Sequence, residues 1–486
     1  MELICRQYEQ MKDILKEDED TENDELRLQI TFIPIEKRNN YWIEYKTDIE
    51  LPEWTDRGTI QDDKAERCQL VYWDKEKTIS KGRQLRTETI VIKKEKNYML
   101  ARYKRCVEML KQEMVRNRIV QKLVLNSKEY NNSPIYLDNV NDIPTFSNNE
   151  IVAINGVPGS GKSTLAANII DRAHDKFTSI YMSPTHQQLK CMAYKLKNKN
   201  LRFTIMSDEA KLDAALTQYH HSNEKGYTEK KKNIIPKSAR IVLTTVNKPL
   251  KNLSRAKLDL ILIDESTKVT VLEAITAIYE LQPARVLITL GDIQQLGSST
   301  EKGQPMKDIL EYCQERKFRT MRINKQYRFG QEINQFPSRL FYKNEMESAT
   351  NKNSVIKMFE ISTCQHTKED KFGCETEAEI CNNLQRIFKA QIITPYSKQA
   401  EIIVQNGGSE EVLTIDKAQG SEFDNVILSI GRNNGRGFLS KKRLNVGMTR
   451  AKYLLIIVIH SETLKTISEL SYIGSQLEKN GRKIVI

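Results

Sequence analysis

The sequence has few cysteines, no long apolar run and no internal repeat. Its 8 cysteines among 486 residues form no C-x-x-C pair, which argues against a disulfide framework and favours reduced thiols. No run approaches the ~18 apolar residues that a membrane span requires. The first residues turn acidic at once, unlike a secretory signal. We therefore expect an intracellular protein, in the cytoplasm or nucleus, with no membrane partner.

Positive charge is what the sequence has in excess. It carries 76 Lys and Arg against 64 Asp and Glu, a formal net charge of +12. Such a balance predicts a polyanionic partner. Basic residues concentrate between 81 and 122, where apolar residues from Tyr98 to Met114 recur at helical spacing. This pattern predicts an amphipathic helix with a basic face, although a basic face that only improves solubility fits the charge equally well.

Apolar patterning divides the chain into four parts. Residues 1–26 form an acidic N-terminal segment. Residues 27–122 contain strand-like runs followed by the basic helix, which predicts a small β-rich accessory domain. In 123–300 and again in 301–486, short apolar strands alternate with helical stretches, a pattern typical of α/β domains with parallel sheets and helices on both faces. The first α/β domain carries an insert at about 207–237.

A phosphate-binding loop follows the predicted strand at 151–155. It fits G-x-x-x-x-G-K-[ST], in which glycines let backbone N–H groups converge on phosphates at a helix N-terminus. Lys162 would neutralise the β- and γ-phosphates, and the Ser163 hydroxyl would bind Mg²⁺. The sequence therefore predicts binding of ATP or GTP. The loop residues are Gly156, Val157, Pro158, Gly159, Ser160, Gly161, Lys162, Ser163 and Thr164.

Two acidic residues come directly after the apolar run 258–263. A phosphate-binding loop needs a metal-binding carboxylate at the end of a neighbouring strand, and Asp264 supplies it. Glu265 would polarise the attacking water, which favours hydrolysis over transfer of phosphate to a small molecule. A P-loop kinase is the less favoured alternative.

Further motifs follow in order and resemble those of the superfamily 1 helicases, in particular the branch of the up-frameshift helicase of nonsense-mediated decay. The resemblance covers about residues 150–486. The motifs are G-D-I-Q-Q-L at 291–296, Q-Y-R at 326–328, Q-F-P-S-R-L-F-Y at 335–342, I-T-P-Y-S-K-Q at 393–399, T-I-D-K-A-Q-G-S-E at 414–422, and G-F-L at 437–439 leading into R-L-N-V-G-M-T-R-A-K at 443–452.

The resemblance implies two tandem RecA-like domains with ATP and Mg²⁺ in the cleft between them. Gln295 would sense the γ-phosphate from the first domain. Arg328 and Arg450 would act from the second as arginine fingers, which stabilise charge in the transition state. The family's adenine-stacking and ribose-side positions correspond to Tyr327, Gly420 and Glu422.

The same resemblance implies that single-stranded RNA or DNA crosses both domains. Hydroxyls, backbone amides and one ring would grip phosphates and bases without reading sequence. The matching positions are Pro184, Thr185, Thr245, Asn247, Thr394, Pro395, Tyr396 and Thr414. Residues 27–122 resemble the accessory barrel and stalk of this branch by position and pattern, without a matching motif.

These expectations describe an ATP-dependent helicase or translocase, with 5′→3′ polarity taken from the family, acting as a monomer. A nucleoprotein remodeller with little strand separation is the alternative. Val157 and Ser160 make the loop resemble helicases of positive-strand RNA viruses, so a viral protein acting in a host cell is a second possible source. No glutamine motif precedes the loop, which leaves GTP open. Zinc binding at Cys364, His366, Cys374 and Cys381 fits no common spacing, so ordinary thiols are favoured.

Overall fold

A computed structural model describes most of the chain. It covers residues 1–14, seven strands between 25 and 94, and residues from 98 onward other than 113–117, 125–133, 224–226, 229–231, 251–257, 282–284, 299–305, 363–372, 409–410 and 433–434. Residues 15–24 of the acidic segment, and Cys364 and His366, lie outside the described residues. In the described part of the chain, none of the helices has both the length and the apolar character for crossing a bilayer.

The N-terminal part contains an antiparallel sheet, as the strand-like runs predict. Its strand order is β1-β7-β4-β5-β6-β3-β2. The neighbours β1 and β7 pair from Glu25 with Lys93 to Gln29 with Thr89. The strands are β1 (Glu25–Gln29), β2 (Ile33–Asn39), β3 (Trp42–Lys46), β4 (Gly58–Asp62), β5 (Arg67–Asp74), β6 (Lys77–Lys81) and β7 (Thr89–Lys94).

Three helices are described in the first 130 residues: α1 (Glu2–Ile14), α2 (Tyr98–Lys111) and α3 (Arg118–Val124). Helix α2 is the amphipathic helix predicted from the sequence. It buries Tyr103, Cys106, Val107 and Leu110, which recur at the three- and four-residue spacing of one helical face. Lys104, Arg105 and Lys111 on the same helix are exposed.

The first α/β domain is built on an eight-stranded sheet. All its strand pairs are parallel, in the order β11-β12-β10-β13-β14-β9-β15-β8. The strands are β8 (Ile135–Tyr136), β9 (Glu150–Gly156), β10 (Thr178–Ser183), β11 (Thr204–Met206), β12 (Ile241–Thr245), β13 (Leu258–Ile263), β14 (Val286–Gly291) and β15 (Arg319–Ile323). The helices are α4 (Lys162–Ala173), α5 (His186–Asn198), α6 (Ala214–Thr217), α7 (Val271–Glu280) and α8 (Ile309–Glu315).

The first sheet extends beyond the boundary that the sequence predicted at residue 300. Strand β15 pairs in parallel with β9, joining Arg319 with Val152 and Ile323 with Gly156. Strand β15, which we assigned to the second domain from the pattern alone, therefore belongs to the first sheet. The pattern did not reveal this because a short strand that pairs with a distant segment carries no signal of which sheet it joins.

The second α/β domain is built on a six-stranded parallel sheet, in the order β20-β19-β21-β22-β18-β23. A small ladder, β16 (Lys325–Gln326) with β17 (Glu347–Ser348), precedes it. The sheet strands are β18 (Val355–Ile361), β19 (Gln391–Thr394), β20 (Leu413–Thr414), β21 (Phe423–Ser429), β22 (Ala451–His460) and β23 (Lys483–Val485). The helices are α9 (Gln331–Phe341), α10 (Glu375–Phe388), α11 (Ser397–Gln405), α12 (Ile415–Ala418), α13 (Lys441–Met448), α14 (Ser461–Thr466) and α15 (Ser468–Lys479).

Each α/β domain has its own apolar core between sheet and helices. In the first, strand residues such as Ile154 and Leu262 pack with Leu165 and Ile170 of α4, all fully buried. In the second, Ile457 of β22 packs with Phe336 of α9. The fold class predicted from the sequence, two tandem α/β domains after a β-rich part, is therefore confirmed. Parallel strands place their carboxyl ends on one edge of each sheet, which is where ligands bind in such folds.

Candidate functional site

The phosphate-binding loop connects β9 to the N-terminus of α4. Gly159 and Gly161 have φ values of 73° and 82°, a left-handed conformation that glycine adopts without strain. A Cβ at Gly156 would lie 2.7 Å from the Ser160 hydroxyl, so the loop closes tightly over its own backbone. The buried Ser160 Oγ has no hydrogen-bond partner among the described residues. A phosphate oxygen in the loop would satisfy this donor, so the loop fits a nucleotide.

Lys162 and Ser163 begin α4 and have different hydrogen-bond partners. Lys162 Nζ donates to the carbonyl oxygens of Gly156 at 2.8 Å and Val157 at 3.2 Å. Ser163 Oγ donates to Asp264 Oδ2 at 2.8 Å, which brings together the two predicted metal ligands. Hydroxyl and carboxylate oxygens are the ligands that Mg²⁺ prefers, so this pair fits the ion.

Asp264 is buried at the end of β13. Tyr181 of the neighbouring β10 also donates its hydroxyl to Asp264 Oδ2, at 2.8 Å. Burial raises the pKa of Asp264, and the adjacent Glu265 adds to that rise. A divalent cation would reverse this effect by favouring the carboxylate. Tyr181 was missed by the sequence analysis, because an apolar strand gives no sign that one of its tyrosines faces a distant carboxylate.

Glu265 has a left-handed backbone, with φ 48° and ψ 41°. This conformation costs a non-glycine residue about 1–3 kcal/mol. It persists only where the surrounding structure fixes the backbone, and such residues cluster at functional sites. Its amide donates to Asp264 Oδ1 at 2.9 Å, and its carbonyl accepts from the Lys268 amide at 2.9 Å. The backbone of this turn is therefore fixed by hydrogen bonds at both the amide and the carbonyl of Glu265.

Arg328 lies beside the phosphate-binding loop. The Tyr327 amide donates to the Gly159 carbonyl at 3.0 Å, and a Cβ at Gly159 would lie 2.6 Å from Arg328 Cβ. The guanidinium donates to Glu422 Oε2 at 3.1 Å and to the Thr449 carbonyl at 2.7 Å. Arg328 therefore contacts both the phosphate-binding loop and residues of the second domain.

Arg450 is buried and held by three hydrogen bonds. Its guanidinium donates to the Val446 carbonyl at 2.9 Å, the Ser421 carbonyl at 3.0 Å and Thr449 Oγ1 at 3.1 Å. Burial and the nearby Arg328 lower the pKa of Arg450 to about 9, against the opposite effect of the carboxylates of Glu265 and Asp292. Two cations close together beside first-domain carboxylates form a site that favours an added anion.

The remaining predicted nucleotide residues lie around the same cleft. Gln295 is buried, and its Nε2 donates to Asp292 Oδ2 at 3.1 Å. Tyr327 has 40% of its surface exposed, which leaves its ring available for stacking. Burial raises the pKa of Glu422, but Arg328 and Lys452 outweigh it and hold the pKa below its ordinary value. Gly420, with φ 89°, approaches Gln188 of the first domain.

The predicted nucleic-acid residues of the first domain follow β10 and β12 on the carboxyl edge. Pro184 and Thr185 come after β10, and Thr185 caps α5 by accepting from the Gln188 amide at 3.4 Å. Thr245 ends β12, and Asn247 is exposed. These four residues share one edge of the first sheet.

The corresponding residues of the second domain are less accessible. Thr394 and Pro395 are buried, and Tyr396 is 7% exposed, with its hydroxyl accepting from the Phe438 amide at 3.0 Å. Thr414 caps α12 by accepting from the Lys417 amide at 3.4 Å. Tyr396 therefore supports the loop that follows β21 instead of presenting a free ring.

Phe438 is an exposed aromatic residue on the same edge that the sequence analysis quoted without a role. Its side chain is 47% exposed. The Arg443 guanidinium carbon lies 3.4 Å from the centre of its ring, and Arg443 is also paired with Asp416 at 3.0 Å. A partly exposed ring with an adjacent cation is the type of surface on which bases stack.

A buried cluster lies at the carboxyl end of β22, outside the cleft residues. Cys374 Sγ, a Glu377 carboxylate oxygen and a His460 ring nitrogen all lie within 4.8 Å of one another. Glu377 Oε1 accepts from Ser429 Oγ at 2.6 Å and from the Gly431 amide at 2.8 Å, and burial raises the pKa of Glu377 to about 7. These two hydrogen bonds fix the carboxyl end of β21 against Glu377.

Comparisons with known proteins agree with this geometry. Two family models, each described as an AAA domain, match residues 144–358 and 306–462. The chain is 29% identical over 257 residues to the regulator of nonsense transcripts 1 homolog of Neurospora crassa, covering 44% of this chain and 23% of that protein. It is 27% identical over 403 residues to the ATP-dependent helicase NAM7 of Saccharomyces cerevisiae, covering 64% of this chain and 40% of that protein. Together the two family matches and these relatives support an up-frameshift-like helicase of superfamily 1.

Within superfamily 1 the relatives lie in the up-frameshift branch that the motifs indicate, so the predicted resemblance is confirmed. The chain spans less than half the length of these two relatives. Among solved structures, the helicase nonstructural protein 10 of an arterivirus aligns with a TM-score of 0.43 and 14% identity, covering 89% of this chain and 76% of that one.

Proposed function

We propose that this superfamily 1 chain is an ATP-dependent helicase or translocase that moves 5′→3′ along single-stranded RNA or DNA, as a monomer inside the cell. The proposal rests on one observation: both α/β domains contribute residues to the same cleft. On one side Ser163 contacts Asp264 at 2.8 Å beside Lys162. On the other, Arg328 bonds to Thr449 and Glu422 while lying against Gly159 of the loop.

The cleft residues divide the chemistry of hydrolysis between them. Lys162 and the loop amides bind the phosphates, and Ser163 and Asp264 hold Mg²⁺, which neutralises phosphate charge when bound. Glu265 orients the attacking water and accepts its proton. Arg328 and Arg450 stabilise the charge that develops on the γ-phosphate, a contribution of about 10³–10⁵-fold in related phosphoryl-transfer sites. Because these groups come from two domains, hydrolysis requires the two domains to close around the nucleotide.

The carboxyl edges of the two sheets supply the proposed path for the strand. Thr185 and Asn247 lie on the first edge, and Phe438 with Arg443 lies on the second. Hydroxyls, amides and a stacking ring bind any sequence, which suits a motor that must move along the strand. Closure of the cleft on ATP would shift one edge along the strand relative to the other, and product release would reset it.

Displacement of a labelled strand tests this proposal. Duplexes of RNA or DNA that carry a 5′ or a 3′ single-stranded tail are incubated with ATP and Mg²⁺. We expect displacement from 5′-tailed duplexes, and none with Lys162→Ala. Displacement from 3′-tailed duplexes alone contradicts the polarity. ATP turnover without any displacement contradicts unwinding and favours the alternative, a nucleoprotein remodeller.

A further inference from the structure

Tyr342 lies at the point where the two α/β domains meet. It follows α9, whose residues pack into the second-domain core. Its hydroxyl donates to Asp292 Oδ2 at 2.7 Å and accepts from Asn445 Nδ2 at 2.7 Å. Asp292 follows β14 of the first domain, and Asn445 belongs to α13 of the second. The Tyr342 hydroxyl is therefore hydrogen-bonded to one residue of each domain.

On the first-domain side the contact leads directly to Gln295. Asp292 Oδ2, the atom that accepts from Tyr342, also accepts from Gln295 Nε2 at 3.1 Å. Asp292 Oδ1 accepts from the Gln294 amide at 3.0 Å, and Asn445 Nδ2 donates to the Gln294 carbonyl at 2.9 Å. The carboxylate thus fixes Gln295 and Tyr342 relative to each other.

On the second-domain side the contact leads to Arg450. The Asn445 carbonyl accepts from Thr449 Oγ1 at 2.8 Å. The same Thr449 oxygen accepts from the Arg450 guanidinium at 3.1 Å. Side-chain and backbone hydrogen bonds therefore run without a gap from Gln295 through Tyr342 to Arg450.

Tyr342 is half-buried, and the other groups on this path are almost completely removed from water. Asp292, Gln295, Asn445, Thr449 and Arg450 have between 0 and 4% of their surface exposed. Water cannot easily replace a lost partner at such a site, so each group holds its neighbour in one geometry. A hydroxyl at the centre of the path has a larger influence on alignment than a surface contact has.

We propose that Tyr342 is a positioning residue that couples Gln295 of the first domain to Arg450 of the second, so that both reach the γ-phosphate together when the cleft closes. This inference rests on the proposed ATPase function. The hydrogen-bond partners of the Tyr342 hydroxyl are Asp292 and Asn445, so its assigned part is to position other residues. The ring anchors the residue in the second domain, and the hydroxyl transmits the position of the second domain to Asp292.

The test is steady-state ATP hydrolysis by Tyr342→Phe in the full chain, which keeps the ring and removes the hydroxyl. Coupling between two sites typically changes ligand affinity by about 5–150-fold, which sets the scale of effect expected here. We expect kcat to fall by about tenfold or more while KM for ATP changes less than about twofold. The matched control is Tyr453→Phe, since Tyr453 is 44% exposed on β22 and lies outside the path. Its kcat should equal that of the wild type.

A second variant separates positioning from a general structural effect. Asn445→Ala breaks the path from the other side, so it should lower kcat to a similar extent, and it carries the test if Tyr342→Phe fails to fold. In a Gln295→Ala background, Tyr342→Phe should lower kcat little further, because the side chain that Tyr342 positions is already absent. An unchanged kcat in Tyr342→Phe, or an equal loss in the Gln295→Ala background, overturns the inference alone. Absence of ATP hydrolysis by the wild type overturns the proposed function and the inference with it.

Discussion

Replacing Glu377 with glutamine should remove a pH-dependent loss of stability. Burial raises the pKa of Glu377 from 4.5 to about 7. Below pH 4.5 the carboxyl is protonated in both folded and unfolded chains, and its contribution to stability is fully present. As the pH rises toward 7, the unfolded chain loses this proton before the folded chain does, so the free energy of unfolding falls.

The size of the loss follows from the two pKa values. One pKa unit corresponds to about 1.4 kcal/mol, so the interval from 4.5 to about 7 corresponds to about 3 kcal/mol. Glutamine has the same shape and cannot ionise. Its carbonyl can accept from Ser429 and Gly431 as Glu377 Oε1 does. Near pH 5 the variant should therefore be within about 1 kcal/mol of the wild type, and near pH 8 it should be more stable by about 3 kcal/mol.

Urea unfolding at pH 5 and pH 8 measures both values, and the difference between variant and wild type removes effects that other residues share. Glu379→Gln is the matched control, because Glu379 is exposed on the same helix α10. The control should give the same difference from the wild type at both pH values. A Glu377→Gln variant that is less stable than the wild type at pH 8 would refute the reasoning, since it would mean that the folded chain requires the negative charge.

The remaining predictions concern nucleic-acid binding. Affinity for single-stranded RNA, measured by fluorescence anisotropy, should fall linearly on a log–log plot against salt, with a slope near −0.7 for each phosphate contacted; a slope near zero would contradict a phosphate-based grip. Lys162→Ala should bind the strand with unchanged affinity, because Lys162 contacts the loop carbonyls of Gly156 and Val157 and not the strand edge. A tenfold loss of strand affinity in that variant would mean that Lys162 takes part in strand binding, which contradicts this assignment.

The nucleotide site could be predicted from the sequence because its residues are adjacent in motifs. The loop 156–164 fixes the order of strand, turn and helix, so Lys162 and Ser163 have little freedom in where they lie. Asp264 is 102 positions from Lys162, yet it could be placed because an acid after a buried strand lies on the same sheet edge. The contact of Ser163 with Asp264 is in keeping with that placement.

Contacts between distant segments could not be predicted in the same way. Tyr181 and Tyr342 contribute hydroxyls to Asp264 and Asp292, but the sequence around a tyrosine carries no signal for a hydrogen-bond partner in a distant segment. The burial of Thr394 and the support that Tyr396 gives to Phe438 depend on how the loop after β21 folds back. The pairing of β15 with β9 likewise depends on long-range packing.

ATP turnover in the presence of single-stranded nucleic acid tests the central claim most directly. With Mg²⁺ and ATP, phosphate release by the wild type should rise at least about tenfold when single-stranded RNA or DNA is added, and Lys162→Ala should release none above background. Phosphate release that is the same with and without nucleic acid, or that persists in Lys162→Ala, would contradict the account.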